Sequence, residues 1–589
     1  MALQTTTQIF ISGVPVQSYI SMELHQEIDA HHDLTLVCRA DVLERLSEEL
    51  IGESKEYLGG VITLKISSIA ELGGYKELEF KGLVTEINAT KGFHQASGDL
   101  ITIYAKSTSI LSEDGNHFAS FSELNLSEIL DRTFQGYDKG KLTTNFAPVS
   151  SDTIQYSVQH NQSSFSFVSR LASYYNEWFY YDGQQLIFGS PGTKETELSY
   201  GVDLQNFTVK LKTIPNAFEY LTNDYVSDEI FKKSSDEVST SSDGYHGFMN
   251  TKSNEMYHKK TQIYHNPQSD TSLKSRFDTQ VEQYTRAKSI HQAVAIGSSD
   301  NPGVNLGEII TVKGYGRFRV TKVTHTNTEG GVYQNHFEAI DANSTDYPLM
   351  DIGRYPKSEI QVAKVVENSD PQGMSRIRVQ FPWQKKTGEM TPWIRLMTPH
   401  AGADKGFHFI PEKGEEIIVN FEGGNAERPF VMGALYNGSA KPDSWQSATN
   451  DIKAIKTRAG SLIELNDKKG AECITITDIN SNIIRIDTAN NSIEVSALEN
   501  LTLNAKNVEI NAAEEIKMNA GTNMITRVSE DFSINAKNAT EMIEENKTSL
   551  AKEIMENADK IRIESAKDNM ELVSAKQVDI QGSENVKLF

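Results

Sequence analysis

The stretch NSIEVSALENLTLNAKNVEINAAEEIKMNA, residues 491–520, shows a short pattern that repeats along the last third of the chain. Two apolar residues flank one polar residue, and most of these units start eight residues apart. Such alternation is typical of a short β-strand with one buried face. We expect the following side chains to form the buried core of this region: Ile493, Val495, Leu501, Leu503, Val508, Ile510, Ile516, Met518, Phe532, Ile534, Ile561, Ile563, Val578 and Ile580.

An eight-residue unit is too small to bury its own apolar pair. Burying one Val, Ile or Leu gives roughly 1.5–3 kcal/mol, which does not offset the conformational entropy lost when the whole unit is ordered. The units must therefore stack, as in a β-helix or a related fibrous prism. Three successive units of one chain could form one rung of a solenoid, or three chains could each supply one unit. The periodicity alone does not choose between them.

Composition limits the possible functions. The chain has 589 residues, enough for three or four domains. Its formal charge of −23 argues against binding to nucleic acid and against electrostatic attachment to anionic membranes. Cys38 and Cys473 lie in separate apolar stretches, and we expect both to be buried thiols. The first residues, MALQTTTQIF, do not have the pattern of a secretory signal, and we expect synthesis and folding in the cytoplasm.

The order of strand-like and helical stretches predicts a mainly β protein. We predict a β-barrel at 1–110, a helical and mixed insert at 111–200, a second β-barrel with a helix at 201–350, an OB-type barrel at 358–440, a connector at 441–460 and a β-helix or prism at 461–589. The polar segment 232–244 is expected to be a mobile loop. Across 541–558 the repeat falters, and the sequence leaves strand and helix both open there.

Local signals place three helices. Asn125 is expected to cap the first helix, and Asn176 to end the second, which leads into the aromatic strand Trp178–Tyr181. A third, amphipathic helix is expected over 273–287. The density of aromatic residues in Trp178–Tyr181 favours a buried core over a sugar-binding platform.

Residues able to support chemistry are scattered. His400 and His408 flank a glycine-rich turn, with only Asp404 near enough in sequence to act as a further metal ligand. The adjacent His31 and His32 are expected at a surface or interface. No nucleophile, zinc-protease or paired Cys-x-x-Cys motif occurs. We therefore predict no catalytic, cofactor-binding or metal-binding residues and no cofactor.

The most distinctive motifs lie in and around the OB-type region. They are Arg376-Ile-Arg-Val-Gln-Phe-Pro-Trp383, Thr391-Pro-Trp-Ile-Arg395, Pro411-Glu-Lys-Gly-Glu-Glu416 and Asn425-Ala-Glu-Arg-Pro-Phe-Val-Met-Gly-Ala-Leu-Tyr-Asn437, with Gln159-His-Asn161, Trp178-Phe-Tyr-Tyr-Asp-Gly183 and Thr457-Arg-Ala-Gly-Ser-Leu-Ile-Glu464 on either side. Together they resemble the VgrG family of spike proteins from contractile injection systems, over essentially the whole chain.

This resemblance implies a phage-tail hub fused to a spike. Residues 1–350 would form the hub, 358–440 the OB neck, and the remainder a β-helix built by three chains. Family members attach a tube of hexameric rings to the hub and a PAAR-type protein to the tip. The resemblance thus favours the three-chain arrangement that the periodicity leaves open.

The expected function is that of a homotrimeric puncturing spike and baseplate hub that delivers effectors. Val586, Leu588 and Phe589 are expected to bind the tip protein. The expected partners are the hexameric tube protein, the PAAR-type tip protein, baseplate proteins and non-covalently carried effectors, without nucleic acid. We expect assembly in the cytoplasm, and an extracellular or target-cell location after firing. The alternatives are a delivered hydrolase, and a polysaccharide-binding adhesin, although the chain has no Trp or Tyr from Ser461 onwards.

Overall fold

The computed structural model describes residues 5–44, 49–69, 76–92, 98–240, 244–328 and 332–587. Within these ranges the protein is mainly β, as the sequence predicts. Among the helices of the described ranges, none combines the length and the apolar character that crossing a membrane requires.

The first part of the chain is built from strands with alternating buried and exposed side chains. Its elements are β1 (Thr5–Ile11), β2 (Val14–Pro15), β3 (Ser21–Glu27), β4 (Asp33–Arg39), α1 (Ala40–Leu43), β5 (Val61–Ser68), β6 (Glu77–Thr90) and β7 (Leu100–Ser107). Leu24 of β3, Leu36 of β4 and Ile103 of β7 are fully buried. Because these strands are neighbours in the sheet, they share one apolar face. Cys38 is buried there, as expected.

The insert follows the predicted local signals closely. It contains β8 (His117–Leu124), α2 (Leu126–Thr133), β9 (Thr144–Ala147), β10 (Ile154–Gln162), α3 (Ser164–Tyr175), β11 (Trp178–Tyr181), β12 (Leu186–Gly189) and β13 (Glu195–Leu198). Asn125 and Glu128 form a reciprocal capping box at the start of α2. Asn176 ends α3 in the left-handed conformation. All four side chains of β11 are buried, as predicted.

The next part combines strands with two helices. Its elements are β14 (Leu204–Leu211), β15 (Phe218–Asp224), β16 (Glu229–Ser234), α4 (Gly244–Met256), β17 (Thr261–Tyr264), α5 (Leu273–Ile290), β18 (Ala293–Ser299), β19 (Ile309–Val312), β20 (Gly316–Thr328) and β21 (Val332–Asp341). The segment 232–244 was predicted to be a loop, but its residues 232–234 form the end of β16, which pairs with β15. It continues into a capped 3-10 turn at Ser235–Glu237, and its residues 241–243 lie outside the described ranges.

A single ladder joins the two regions predicted as separate barrels. β20 pairs antiparallel with β3, from Lys322 opposite Glu27 to Thr328 opposite Ser21. Thirteen described strands thereby form one sheet in the order β14–β18–β21–β20–β3–β4–β7–β6–β5–β1–β2, with β13 and β19 attached beside β20. The domain boundaries drawn from the sequence stay predictions.

A chain of buried side chains crosses this seam. Gln26 Nε2 donates to His32 Nδ1 at 3.0 Å, and Gln26 Oε1 accepts from His325 Nε2 at 3.0 Å. The Tyr333 hydroxyl lies 2.8 Å from His325 Nδ1 and accepts from Asn335 Nδ2 at 3.1 Å. The expectation of a surface position was wrong for His32, which is fully buried. Burial lowers the pKa of His32 and of His325 to about 3, so both rings are neutral at pH 7.

The OB region has β22 (Gln361–Glu367), β23 (Arg378–Gln380), β24 (Ala401–Gly402), β25 (Lys405–Gly406), β26 (Glu416–Phe421) and β27 (Pro429–Ala434). Four of these strands form a sheet in the order β23–β22–β26–β27 around a small apolar core. The fifth predicted strand, Trp393–Met397, forms no ladder. Single bridges from Ile394 to Ile377 and from Leu396 to Val431 hold it in place.

The C-terminal part of the chain, residues 452–587, is here called the tail. It begins with five short strands, β28 (Ile452–Lys456), β29 (Leu462–Asn466), β30 (Cys473–Thr477), β31 (Ile483–Asp487) and β32 (Ser492–Ser496). They pair antiparallel in chain order. β28 lies inside the predicted connector because it finds a partner in β29. From 497 to 587 the described chain has neither strand nor helix, and this includes the ambiguous segment 541–558.

Candidate functional site: an uncovered apolar tail

The sheet β28–β32, here called the tail sheet, carries its aliphatic side chains on one face. The strand register aligns them in two rows that run across the sheet. One row is Ile455, Ile463, Ile476, Ile484 and Val495, and the other is Leu465, Ile474, Ile486 and Ile493. Each of the nine side chains is between 38% and 72% exposed, so the described chain leaves this face open.

The other face of the tail sheet is mostly polar. Glu464, Thr475 and Arg485 lie side by side there on neighbouring strands. In β29, β30 and β31 the apolar face is the more exposed of the two. A sheet that completes its core within one chain has the opposite distribution, because burial of apolar surface drives folding. An exposed, contiguous apolar face of this kind marks a contact surface.

Sequence reasoning missed most of this face. The eight-residue repeat does not extend upstream of Ile493, since the tail-sheet strands recur about every ten residues. The available signal was the alternation in Leu462-Ile-Glu-Leu-Asn466, Cys473-Ile-Thr-Ile-Thr477 and Ile483-Ile-Arg-Ile-Asp487. Cys473, expected to be buried, lies on the polar side of this sheet and is partly exposed in the single chain.

The predicted core residues of the repeats are exposed too. From Ile493 to Ile580, the fourteen side chains are between 50% and 74% exposed. Within 497–587 no strand pairs with any other described part of the chain. The single chain therefore does not form the solenoid that the periodicity left open. The assignment of these residues to a shared core stays a prediction.

The end of the tail carries the predicted tip-binding residues. Val586 is 47% exposed. Leu588 and Phe589 lie outside the described residues. The tip-binding role of all three stays a prediction.

Outside the tail, hydrogen bonds of Glu427 connect the OB domain to the insert. Its Oε1 accepts hydrogen bonds from Val158 N at 3.0 Å, from Ser157 Oγ at 3.2 Å and from Arg170 Nη1 at 3.2 Å. The Arg170 side chain is only 3% exposed, and it also donates to the Val158 carbonyl at 2.7 Å. A charge-assisted network of this kind restricts rotation between the two domains.

Two further contacts reinforce this junction. The Arg428 guanidinium donates to the Pro267 carbonyl, to Ser269 Oγ at 3.1 Å and to Glu422 Oε2 at 2.6 Å. Gln384 Nε2 donates to Ser120 Oγ at 2.8 Å. The OB domain thus contacts both the insert and the segment before α5, and is fixed to them on more than one side.

A cavity of about 460 Å³ lies beside this junction, between α3, α5 and the OB segment that contains Glu427. Arg276 in its wall donates to Asp270 Oδ2 at 2.7 Å, and Glu427 Oε1 accepts a hydrogen bond from Arg170 Nη1. These charged groups satisfy one another, so they form structural ion pairs rather than a set of reacting groups.

The residues weighed for metal binding do not come together. His408 is exposed and lies two residues after β25, the second strand of the β24–β25 hairpin, with Nδ1 3.5 Å from Ser375 Oγ. In the part of the chain that the structure describes, no group of three His, Cys, Asp or Glu side chains could hold a metal ion. His31 is partly buried, 2.7 Å from Ser109 Oγ and packed on Phe165.

Comparison with known proteins agrees with this architecture. A family model for the phage tail baseplate hub (GPD) matches residues 32–331, and one for the type VI secretion system/phage-baseplate injector OB domain matches 361–436. The type VI secretion system spike proteins VgrG1b and VgrG1a of Pseudomonas aeruginosa are 26% and 25% identical over 205 residues. These matches cover 30% of this chain and 28% and 32% of the relatives, so they span less than a third of the curated relatives' length.

The fold is also found in solved structures. A chain in the half-lidded Francisella PdpA–VgrG complex has a TM-score of 0.52 at 10% identity, covering 84% of this chain and 88% of that chain. The fold and the two family models define the class of protein, a baseplate hub fused to an injector OB domain. The chain belongs to the phage tail baseplate hub family, as one of its VgrG-type hub-and-spike members.

Proposed function

We propose that this chain is one of three identical subunits of a puncturing spike and baseplate hub in a contractile injection system. The observation that carries the proposal is the tail, whose apolar face at 452–496 and apolar repeats at 497–587 are uncovered in the single chain. A stretch of this length with such exposure would aggregate unless further copies covered it.

Three copies satisfy the geometry of the tail. Three sheets with one apolar face each can close into a triangular prism, with their apolar faces inward and their polar faces outward. The repeats then continue the prism. Their backbone N–H and C=O groups, which form no strand ladder within the described chain, would pair with those of neighbouring chains. The product is a stiff rod of stacked strands.

The action of this assembly is mechanical. Force applied to the hub passes through the OB domain to the rod. The hydrogen bonds from Arg170 to Glu427, and from Arg428 to the Pro267 carbonyl and Ser269 Oγ, hold that joint rigid. Contraction of a surrounding sheath would drive the rod through a membrane. No chemical step is required, and we propose that the chain is a structural protein and not an enzyme.

Partners would bind at the two ends. The hub would receive the hexameric tube protein and contact baseplate proteins, and Val586, Leu588 and Phe589 would bind a PAAR-type tip protein. Effectors would be carried non-covalently. The assembly would form in the cytoplasm and leave it on firing, to the exterior or into a target cell.

Deletion of 586–589 tests the tip assignment. The shortened chain is expected to remain a trimer by light scattering and to lose the tip protein in a pull-down. A matched control is Lys587→Ala, which changes a polar position in the same segment and should keep the tip protein bound. Tip binding that survives the deletion would contradict the assignment.

A further inference from the structure

Another cavity, of about 530 Å³, lies where the insert, α5 and β20 meet. Its wall includes Trp178 of β11, Arg286 of α5 and Arg319 of β20. Thr193 also lines the cavity and is exposed, so the cavity is open to solvent. The proposed spike function gives this cavity no role.

Arg319 carries a buried positive charge that no carboxylate of the described chain pairs with. The residue is only 5% exposed. Its Nη1 donates to the Gly192 carbonyl and, at 2.7 Å, to the Gly307 carbonyl. Its Nε is shielded from solvent and has no acceptor, and its Nη2 donates to no acceptor in the described chain. A buried charge is costly unless an opposite charge and hydrogen bonds compensate it.

Other arginines of this chain show which group the unused edge of Arg319 fits. Nε and Nη2 of a guanidinium lie along one edge and donate in parallel to the two oxygens of a carboxylate. This edge holds a carboxylate in four ion pairs, which are Arg39–Asp41, Arg286–Asp346, Arg317–Glu195 and Arg376–Asp370. In Arg319 the same two donors have no carboxylate, and the side chain lines a cavity.

We propose that this cavity binds a ligand carboxylate at Arg319. Because Nε is shielded from solvent, the ligand first meets Nη2, while Nη1 keeps its bonds to the Gly192 and Gly307 carbonyls. The ligand is either a small organic acid or a polypeptide that presents an acidic side chain. The carboxylate is the chemistry that both share.

The charges of the cavity wall favour a singly charged carboxylate over a phosphate dianion. Asp346 already neutralises Arg286. Arg319 is therefore the one positive charge of the described wall without an ion partner. The Glu177 carboxylate also lines the cavity, where it accepts hydrogen bonds from two backbone N–H groups at 2.9 Å. Glu177 and Asp346 repel any negative charge beyond the one that Arg319 compensates.

The surrounding residues hold the Arg319 guanidinium in place before a ligand arrives. Its Cζ lies 5.5 Å from the centre of the Trp178 ring. The indole is itself fixed, because Trp178 Nε1 donates to the Thr345 carbonyl at 3.0 Å. Together with the two carbonyl contacts of Nη1, this stacking leaves the guanidinium little freedom to lose on binding. Preorganisation of this kind favours affinity.

Isothermal titration calorimetry of the full-length protein at pH 7 tests the proposal. Sodium acetate is the probe for a small organic acid, and a capped Ala-Glu-Ala peptide is the probe for a polypeptide. Inorganic phosphate and a capped Ala-Gln-Ala peptide are the matched negative probes. Arg319→Gln removes the unpaired charge. Its control is Arg317→Gln, which removes an arginine two positions away whose Nε and Nη2 already hold Glu195.

A second pair of variants covers the case in which Arg319→Gln does not fold. Thr193→Asp places a carboxylate next to Gly192 in the cavity wall, where it competes with the ligand for Arg319. Thr193→Asn has nearly the same shape without the charge. Near-UV circular dichroism reports the fold of each variant.

We expect saturable binding of the carboxylate probes and none of the glutamine peptide. Tighter binding of acetate identifies a small acid, and tighter binding of the glutamate peptide identifies a polypeptide. Arg319→Gln and Thr193→Asp should each weaken binding by about tenfold or more. Arg317→Gln should leave it unchanged, and Thr193→Asn should weaken it less than Thr193→Asp.

Three results would overturn the proposal. They are the absence of saturable binding by either carboxylate probe, tighter binding of phosphate than of both, and equal affinities in Arg319→Gln and Arg317→Gln. Carboxylate binding at this cavity is independent of the spike function, so each of these results would leave that function standing.

Discussion

Ile463 and Ile476 lie directly opposite each other on neighbouring strands of the tail sheet, and their side chains are 40% and 45% exposed. Their neighbours Glu464 and Thr475 are paired in the same way on the other face. The two pairs define an apolar and a polar side over the same few residues. This two-sidedness is what the proposed rod of several copies requires of a highly charged chain.

The repeats should show the same two-sidedness, residue by residue. Ile510→Asp would place three carboxylates in the rod core and should cost at least about 2 kcal/mol per copy, because a polar group would lose water without gaining a partner. Glu509→Lys changes the adjacent, outward position and should leave stability nearly unchanged. Thermal melting of the two full-length trimers measures the difference, and equal melting temperatures would reverse the assignment of inside and outside.

Glu427→Gln should weaken the joint between the OB domain and the insert. The substitution keeps the side-chain shape but removes the charge that faces Arg170, so a buried guanidinium loses its ionic partner. Hydrogen bonds to charged groups contribute about 1.5–3 kcal/mol, and we expect a loss of that size. Denaturant unfolding followed by tryptophan fluorescence measures it.

The control for Glu427→Gln is Glu359→Gln, an exposed carboxylate in the same part of the chain. It should be neutral within about 0.5 kcal/mol, as surface changes usually are. An equal effect of both substitutions would mean that the Glu427–Arg170 contact does not hold the joint.

The hub should lose stability as the pH falls below about 6.5, the ordinary pKa of histidine. Burial holds the pKa of His325 at about 3, so between these values the unfolded chain binds a proton that the folded hub does not. His325→Gln should reduce the slope of stability against pH by up to about 1.4 kcal/mol per pH unit in that window. An unaltered slope in His325→Gln would show that His325 titrates normally.

Acid should also destabilise the OB domain, but at lower pH. The Arg376 guanidinium donates to both carboxylate oxygens of Asp370, at 2.9 and 2.8 Å, and these hydrogen bonds lower the pKa of Asp370 to about 2. The stabilisation is present above pH about 4 and is lost as the pH falls towards 2. Asp370→Asn should remove this acid-dependent loss and cost on the order of 2 kcal/mol at pH 7. Retention of the full acid transition in Asp370→Asn would assign it to other groups.

Local features of this fold were predictable from the sequence. The capping box at Asn125 and the left-handed residue Asn176 depend on a few neighbouring residues, and both helices appear where these signals placed them. α5 also follows its apolar period. α4 was missed because it carries only three buried residues among thirteen and so has little apolar periodicity.

Long-range features were not predictable in the same way. Gln26 is hydrogen-bonded to His32 and also to His325, which lies 299 positions further along the sequence. Nothing local therefore indicated the burial of His32. The tail shows both cases. Its alternation at Ile493 and Val495 predicted a strand, which is β32 in the structure, whereas the core assignment of the later repeats stays a prediction. The pairing of β28 with β29 depends on register, which an irregular ten-residue spacing does not reveal.

The mass of the purified full-length protein in solution tests the central claim most directly. Light scattering should give three times the 65.7 kDa of one chain, at every concentration at which the protein remains folded. A monodisperse, folded species with the mass of a single chain would contradict the account, because the apolar tail would then be stable without the copies proposed to cover it.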